Sequence, residues 1–389
     1  MAYISSNDNR FYVALETAYG QTPSVTAANR IPAVQLSSQY KVQKGQRKDK
    51  TGTRTYLGDP SELRSSTSFG LRTYLTNWAD TSQPPAYGPL LEAAFGAAPM
   101  MWSGGTVATA GSSGQIAFTG PHGLTVGQAV SAGGEIRFVT SVVDSQTVQL
   151  NAPLAVSTGS GSVMTSTATY QPATELPSVS IFDYWSPGTA VQRLLYGAAV
   201  NEATLMVNGD FHEFTFSGAA CDVADSASYQ SGQAGMQAFP AEPAISPLMY
   251  SLVPGHLGEV WMGSTPAEFF TVTKAQLTFN NDLDLRSNEF GANLARGISP
   301  GIRNVSVEFS LYQQDDSITP ALYQAARQRS PIPVMLQLGQ QQGQMFGLYM
   351  QNVIPEVPEF DDSDKRQQWH FVNCRAQGVL NNEIFVAFG

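Results

Sequence analysis

The sequence predicts a mainly β protein built as two tandem β-sandwich or barrel units, each with one short helix, plus a small β domain inserted into the first. Three observations carry this prediction. Apolar and polar residues alternate with a period of two from end to end, only two segments show helical spacing, and one stretch dense in Gly, Ser, Thr and Val interrupts the first unit.

The strands are the strongest signal. Val305, Val307, Phe309 and Leu311 interleave with Ser306, Glu308 and Ser310, the pattern of a strand with one buried face. Val34, Leu36, Tyr40 and Val42 share a phase in the same way, as do Phe69 with Leu71, Val179 with Ile181, Phe214 with Phe216, and Trp369 with Phe371. The first helix opens at Pro89, places Leu90, Leu91, Ala94 and Phe95 on one apolar face and stops at Gly96. The second opens at Pro320 after Ser317 or Thr319 as candidate cap. Leu322, Tyr323 and Ala326 face inward, and Arg327 and Arg329 suit the negative C-terminal end.

Leu90-Leu91-Glu92-Ala93-Ala94 set beside Leu322-Tyr323-Gln324-Ala325-Ala326 suggests an internal repeat, and the surroundings agree. Each helix follows a strand (65–75; 302–312), each strand a long loop (44–60; 280–300), and each loop an earlier strand (31–42; 269–279). Strands return after each helix, near 178–184, 192–207 and 211–217 in one half and near 332–338, 345–354 and 367–378 in the other. The expected organisation is a discontinuous first unit (1–102 and 171–223), an inserted β domain (103–170), a linker rich in proline (224–268) and a second unit (269–389).

Composition narrows the function. Charged residues are 13% of the 389, about half the ~25% usual in soluble domains, so polar surface must come from Ser, Thr, Gln and Asn. A formal net charge of −10 repels nucleic acid at long range and argues against a sequence-specific DNA binder. Cys221 and Cys374 are too few for a disulfide framework and read as small buried thiols of a chain assembled in a reducing cytoplasm. The start, Met1-Ala2-Tyr3-Ile4-Ser5, carries no basic-then-apolar leader. No apolar run approaches the ~18 residues of a membrane helix, so no membrane partner is expected.

Catalytic constellations find little support. Gly297-Ile298-Ser299-Pro300-Gly301 matches a nucleophile elbow in letters, but Pro300 lacks the N–H that would build the oxyanion hole, and a strand follows where that motif needs a helix. His122, His212, His256 and His370 lack metal-ligand spacing, and His212 and His370 read as structural. Asp282 with Asp284, and Asp361, Asp362 and Asp364, lack the glycine and terminal glutamate of an EF-hand and read as solvated loops. No P-loop or G-x-G-x-x-G occurs, and no cofactor or metal is expected. A glycosidase pair is left open, because its carboxylates are diagnostic only by their separation in space.

The segment from Phe11 to Pro23 contains Glu16, Tyr19, Gly20 and Pro23 in the order E-x-x-Y-G-x-x-P. It resembles the start of siphophage tail tube (major tail) proteins. The resemblance extends through the long loops, the single helix flanked by strands, and Leu277-Thr278-Phe279-Asn280-Asn281. It implies two packed sheets with one flanking helix, a fold shared with the secreted ring protein of type VI secretion. It further implies a non-enzymatic virion protein, assembled in the host bacterial cytoplasm, whose sheets join edge to edge into stacked rings around passing DNA. Tape measure, tail terminator and distal tail proteins are the implied partners.

The insert, with Pro121-His122-Gly123-Leu124-Thr125 and Phe138-Val139-Thr140, is similar to small β modules of phage virion proteins, which implies the outer tube surface. A basic cluster, Lys41, Lys44, Arg47, Lys48, Lys50 and Arg54, is either a solvated loop or a contact to the adjacent ring through Asp282, Asp284, Asp361, Asp362 and Asp364. If the tube fold occurs twice, three chains close a pseudo-sixfold ring. The rival readings are a minor tail or capsid-decorating protein and an enzyme acting on cell-surface polysaccharide.

Overall fold

Period-two alternation becomes ladders because each apolar residue on one side of a strand finds a buried face only when neighbouring strands supply the rest of it. In the computed structural model, which describes residues 3–45, 48–59, 63–78, 80–111, 114–155, 158–207, 209–245, 247–363 and 365–389, the described strands form one 19-stranded network, a separate 6-stranded sheet and a 2-stranded ribbon.

Within the large network the same order of pairing occurs twice. In the first half Ala33–Val42 pairs with Ser65–Tyr74, and Ser65–Tyr74 with Glu213–Ala220. Glu213–Ala220 pairs with the end of Arg193–Val207, whose start pairs with Val179–Trp185; that strand takes Asn9–Leu15 on its other side. In the second half Val272–Asn280 pairs with Asn304–Tyr312, and Asn304–Tyr312 with Gln368–Ala376. Gln368–Ala376 pairs with the end of Phe346–Ile354 and with Glu359–Asp361; Phe346–Ile354 pairs with Ile332–Leu338, which takes Gly258–Met262. Register shifts recur at matching places, at Ala33/Gln35 and at Val272/Lys274. A ladder joins the halves directly, running from Glu202 opposite Asn280 to Val207 opposite Ala275.

Both helices form in the segments the sequence predicts, but the second begins at Ile318, ahead of Pro320, because Asp316 supplies its cap from further upstream. Helix α1, Gly88–Phe95, has Pro in its first turn and ends on Gly96 in the left-handed conformation (φ 96°). Helix α2, Ile318–Gln328, has Ser317 at its N-cap position, but neither Ser317 nor Thr319 caps it. The Asp316 carboxylate accepts the Ile318 and Thr319 N–H groups (3.0 and 2.8 Å). An aspartate is the better acceptor for these orphan donors because its charge also meets the positive helix end. Phe95 of α1 stacks on Phe279 of the second half (4.4 Å), so α1 seals the joint between halves.

The 6-stranded sheet spans Gly105 to Met164, and Thr167–Tyr170 pairs with Met100–Trp102 and Phe385–Phe388 in the large network. Turn-rich composition thus runs past the end of the small sheet, because Thr and Tyr serve either sheet. The Pro-rich stretch likewise holds Gly258–Met262 and Ala267–Glu268, both in the large network.

Insert and linker each cover a sheet face. In Ile332–Leu338, Val334, Leu336 and Leu338 point into the main core, whereas Met335 packs with Tyr349 and Phe385 against Ile136 and Phe138 of the insert. Gly347 permits this approach, since a Cβ there would lie 2.9 Å from Ile136 and 3.1 Å from Phe138. On the matching face of the first half, Tyr12, Phe182, Tyr184 and Leu194 are covered by Ala234, Met236 and Phe239 of the linker. Arg10 and Tyr12 bond Glu242 there, and the Tyr184 hydroxyl donates to the Pro240 carbonyl (3.1 Å).

Candidate assembly edges and polar face

The joint between the halves is buried on one side and polar on the other. Leu205, Leu277 and Phe279 point into the core at 1%, 6% and 0% exposure. Glu202, Thr204, Gln276, Thr278 and Asn280 take the opposite face, where Asn280 Nδ2 donates to Glu202 (3.0 Å). That face continues across the wide sheet with Ser66, Ser68, Thr215, Ser217 and Ser306. Its basic residues, Lys41, Arg72, Lys274 and Arg375, are interleaved with Glu202, Glu213, Glu308, Glu359 and Asp361. Arg72 and Glu213 pair across strands at 2.8 Å. The face is therefore close to neutral, with signs alternating instead of a continuous basic track.

The wide sheet ends on two strands paired on one side only among the described residues, Ala33–Val42 and Glu359–Asp361. Both carry exposed aromatic rings, Tyr40 at 52% and Phe360 at 52%. One-sided strands with exposed apolar groups are templates for pairing with another chain, and Ala33–Val42, at 10 residues, is long enough to serve as one for the three-residue Glu359–Asp361. Asp361 is opposite Gln368, and its carboxylate lies 3.7 Å from His370 Nε2. The Ser363 hydroxyl and N–H hold that carboxyl below its usual range, so Asp361 stays an anion at the edge.

The cluster residues named from sequence are only partly brought together. Lys41 lies on the free edge strand, and Lys44, Lys48, Lys50 and Arg54 are exposed in the loop after it; none makes an ion pair with another described residue. Arg47 and Asp364 lie outside the described residues. Asp282 sits in a left-handed turn (φ 50°) with its N–H on Asn280 Oδ1, and Asp284 pairs opposite Ser299 in the small ribbon; Asp361 and Asp362 flank the second free edge. Ser299 is thus a ribbon residue.

Other titratable groups read as structural. His212 is buried, and desolvation drops its pKa to about 4, so the ring is neutral. His370 accepts or donates to Ser310 Oγ at 2.8 Å. Cys221 and Cys374 are free and buried, and burial pushes their thiols up to about 12 and about 11. Among the described residues no group of three or more His, Cys, Asp or Glu side chains could hold a metal ion, and no helix is long and apolar enough to cross a membrane.

Two polar centres escaped sequence reading. Glu16, 8% exposed, accepts four bonds: the Gly20 and Gly197 N–H groups (2.7 Å each) and the Ser178 and Ser180 hydroxyls (2.6 and 2.7 Å). Gly20 can present its N–H because it adopts φ 73°. The E-x-x-Y-G spacing is therefore a turn closed by its own carboxylate. Arg137 of the insert, fully buried, bonds Glu135 (2.9 Å), Glu259 (3.0 Å) and the Gln337 side-chain oxygen (3.3 Å), and its guanidinium lies over Trp261. A lone Arg between apolar neighbours gives no sign in sequence of two distant partners.

A mainly β protein with two one-sided edge strands and a near-neutral polar face has the form of a structural subunit. The family model for phage tail tube proteins matches residues 6–366, nearly the whole chain, and the chain belongs to that family. It is a structural component of the virion tail, and the family implies assembly into a tube. No curated protein is similar enough to count as a match.

Proposed function

We propose that this chain polymerises into stacked rings whose near-neutral polar sheet face lines the channel for the passing genome. The observation that carries the reading is the twofold recurrence of one pairing order, joined in the middle by a β ladder and ending in two one-sided edges. The tube fold is then present twice, as 1–102 with 171–223 and as 269–389 together with the strand Gly258–Met262, and three chains close a pseudo-sixfold ring. An interleaved, weakly charged lining suits rapid transit, because a basic track would retain a polyanion. No catalytic step belongs to this role. Tape measure, terminator and distal tail proteins cap and fill the tube, and assembly takes place in the host cytoplasm.

The insert packs on the sheet face turned away from the main core, so it projects outward, while the linker covers the matching face of the first half. Cryo-electron microscopy of the assembled tube should show three insert-sized protrusions per layer around a nearly sixfold lumen. Six protrusions would end the duplicated-fold reading, and a lumen lined by Lys and Arg would end the neutral-channel reading.

Stacking is assigned to the exposed loop after Lys41. Lys44, Arg47, Lys48, Lys50 and Arg54 meet Asp282, Asp284, Asp362 and Asp364 of the adjacent ring, and the loop orders as rings stack; Asp361 lies on the edge strand itself and belongs to the contact within the ring. Reversing Lys44, Arg47 and Lys48 to Glu should leave the circular dichroism spectrum unchanged and stop tube growth at single rings. Tubes of normal length by negative-stain microscopy would remove the assignment.

A further inference from the structure

The ladder that joins the two halves is a template for the contact that joins two chains. By the recurring pairing order, Leu205 corresponds to Phe360, because each lies opposite the matching aromatic, Phe214 or Trp369, of the next strand. Likewise Ala275 corresponds to Leu36, because they lie opposite Phe309 and Leu71, which pair in turn with Phe371 and Phe216. Counting along each strand makes Phe279 correspond to Tyr40. At the internal joint Leu205 and Phe279 are 1% and 0% exposed; at the free edges Phe360 and Tyr40 are each 52% exposed. The same positions are apolar in both places and lack cover only where the next unit is missing.

From this we infer that Glu359–Asp361 pairs antiparallel with Ala33–Val42 of a second copy in one register: Glu359 opposite Gln39, Phe360 opposite Ser38 and Asp361 opposite Ser37. This is the register of Thr204 opposite Thr278, Leu205 opposite Leu277 and Met206 opposite Gln276. It rests on the ring-forming reading and specifies its contact. Phe360 and Tyr40 become diagonal neighbours on the core side, as Leu205 and Phe279 are now. Tyr40 comes against α2 as Phe279 comes against α1. On the polar face Lys41 lies diagonal to Glu359, a favourable pair. Pro358 falls opposite Tyr40, at the end of the ladder, where a missing N–H is tolerated. Phe360 is held on the core side opposite Trp369, so a slip of one residue would set it opposite Ser37 or Gln39 of the polar face, and the register is strongly specified.

The test uses the full chain carrying Gln39→Cys with Glu359→Cys, assembled under reducing conditions and then oxidised. The native Cys221 and Cys374 are buried and do not compete. A non-reducing gel should show a chain-to-chain ladder ending at a closed trimer. Gln39→Cys with Asp361→Cys, two residues out of register on the same face, should cross-link roughly fivefold less, given the narrow Cα separation a disulfide tolerates. Rings seen by electron microscopy that do not cross-link through the first pair, or that cross-link equally through the second, overturn the register alone. A parent chain that forms no rings at all overturns the ring-forming reading together with it.

Discussion

Replacing Arg137 by methionine is expected to destabilise the protein by about 3–5 kcal/mol, the cost of leaving buried charges without their counter-charge. Arg137 is 0% exposed and holds Glu135, 7% exposed, and Glu259, 14% exposed, from opposite sides of the contact between insert and second half. Methionine fills much of the volume but strands both carboxylates, and the Gln337 side chain loses one of its donors. Chemical denaturation followed by tryptophan fluorescence would report it, since Trp261 lies beneath the guanidinium (5.1 Å to the ring centroid). A loss under about 1 kcal/mol would mean that water reaches the cluster and the charges are screened. Adding Glu135→Gln and Glu259→Gln to the variant should recover part of the loss, because the isolated charges are then gone.

Replacing Glu16 by glutamine should cost about 2–4 kcal/mol, because one carbonyl oxygen cannot serve four donors and the new amide NH2 faces two of them. The loss falls on the Ser178 and Ser180 hydroxyls or on the Gly20 and Gly197 N–H groups, all turned toward the carboxylate. Hydrogen exchange gives the sharper reading. Protection should fall first at Gly20 and Gly197 and in the ladder between Asn9–Leu15 and Val179–Trp185, with the second half unaffected. Uniform loss across both halves would instead show that Glu16 supports the global fold.

Strand content, both helices and the order of elements were legible in the sequence because they are local. A period of two or 3.6 is read within ten residues, and Pro89 and Gly96 punctuate a helix whatever surrounds it. The E-x-x-Y-G spacing was legible as a pattern, though its cause was not: Glu16 is satisfied largely by Ser178, Ser180 and Gly197, more than 160 residues on. The alternation that marked Val34, Leu36, Tyr40 and Val42 as a strand could not say which side of it was paired, because an edge strand and a central strand share that alternation. Nor could composition show where the small sheet ended, since Thr167–Tyr170 suits either sheet until its neighbours are known. Which residues alternate and where the chain turns are properties of neighbouring residues and need no partner. Only the folded chain leaves Phe360 and Tyr40 uncovered while Leu205 and Phe279 are buried, because burial belongs to the partner strand, and among the described residues none lies beyond the two outer edges.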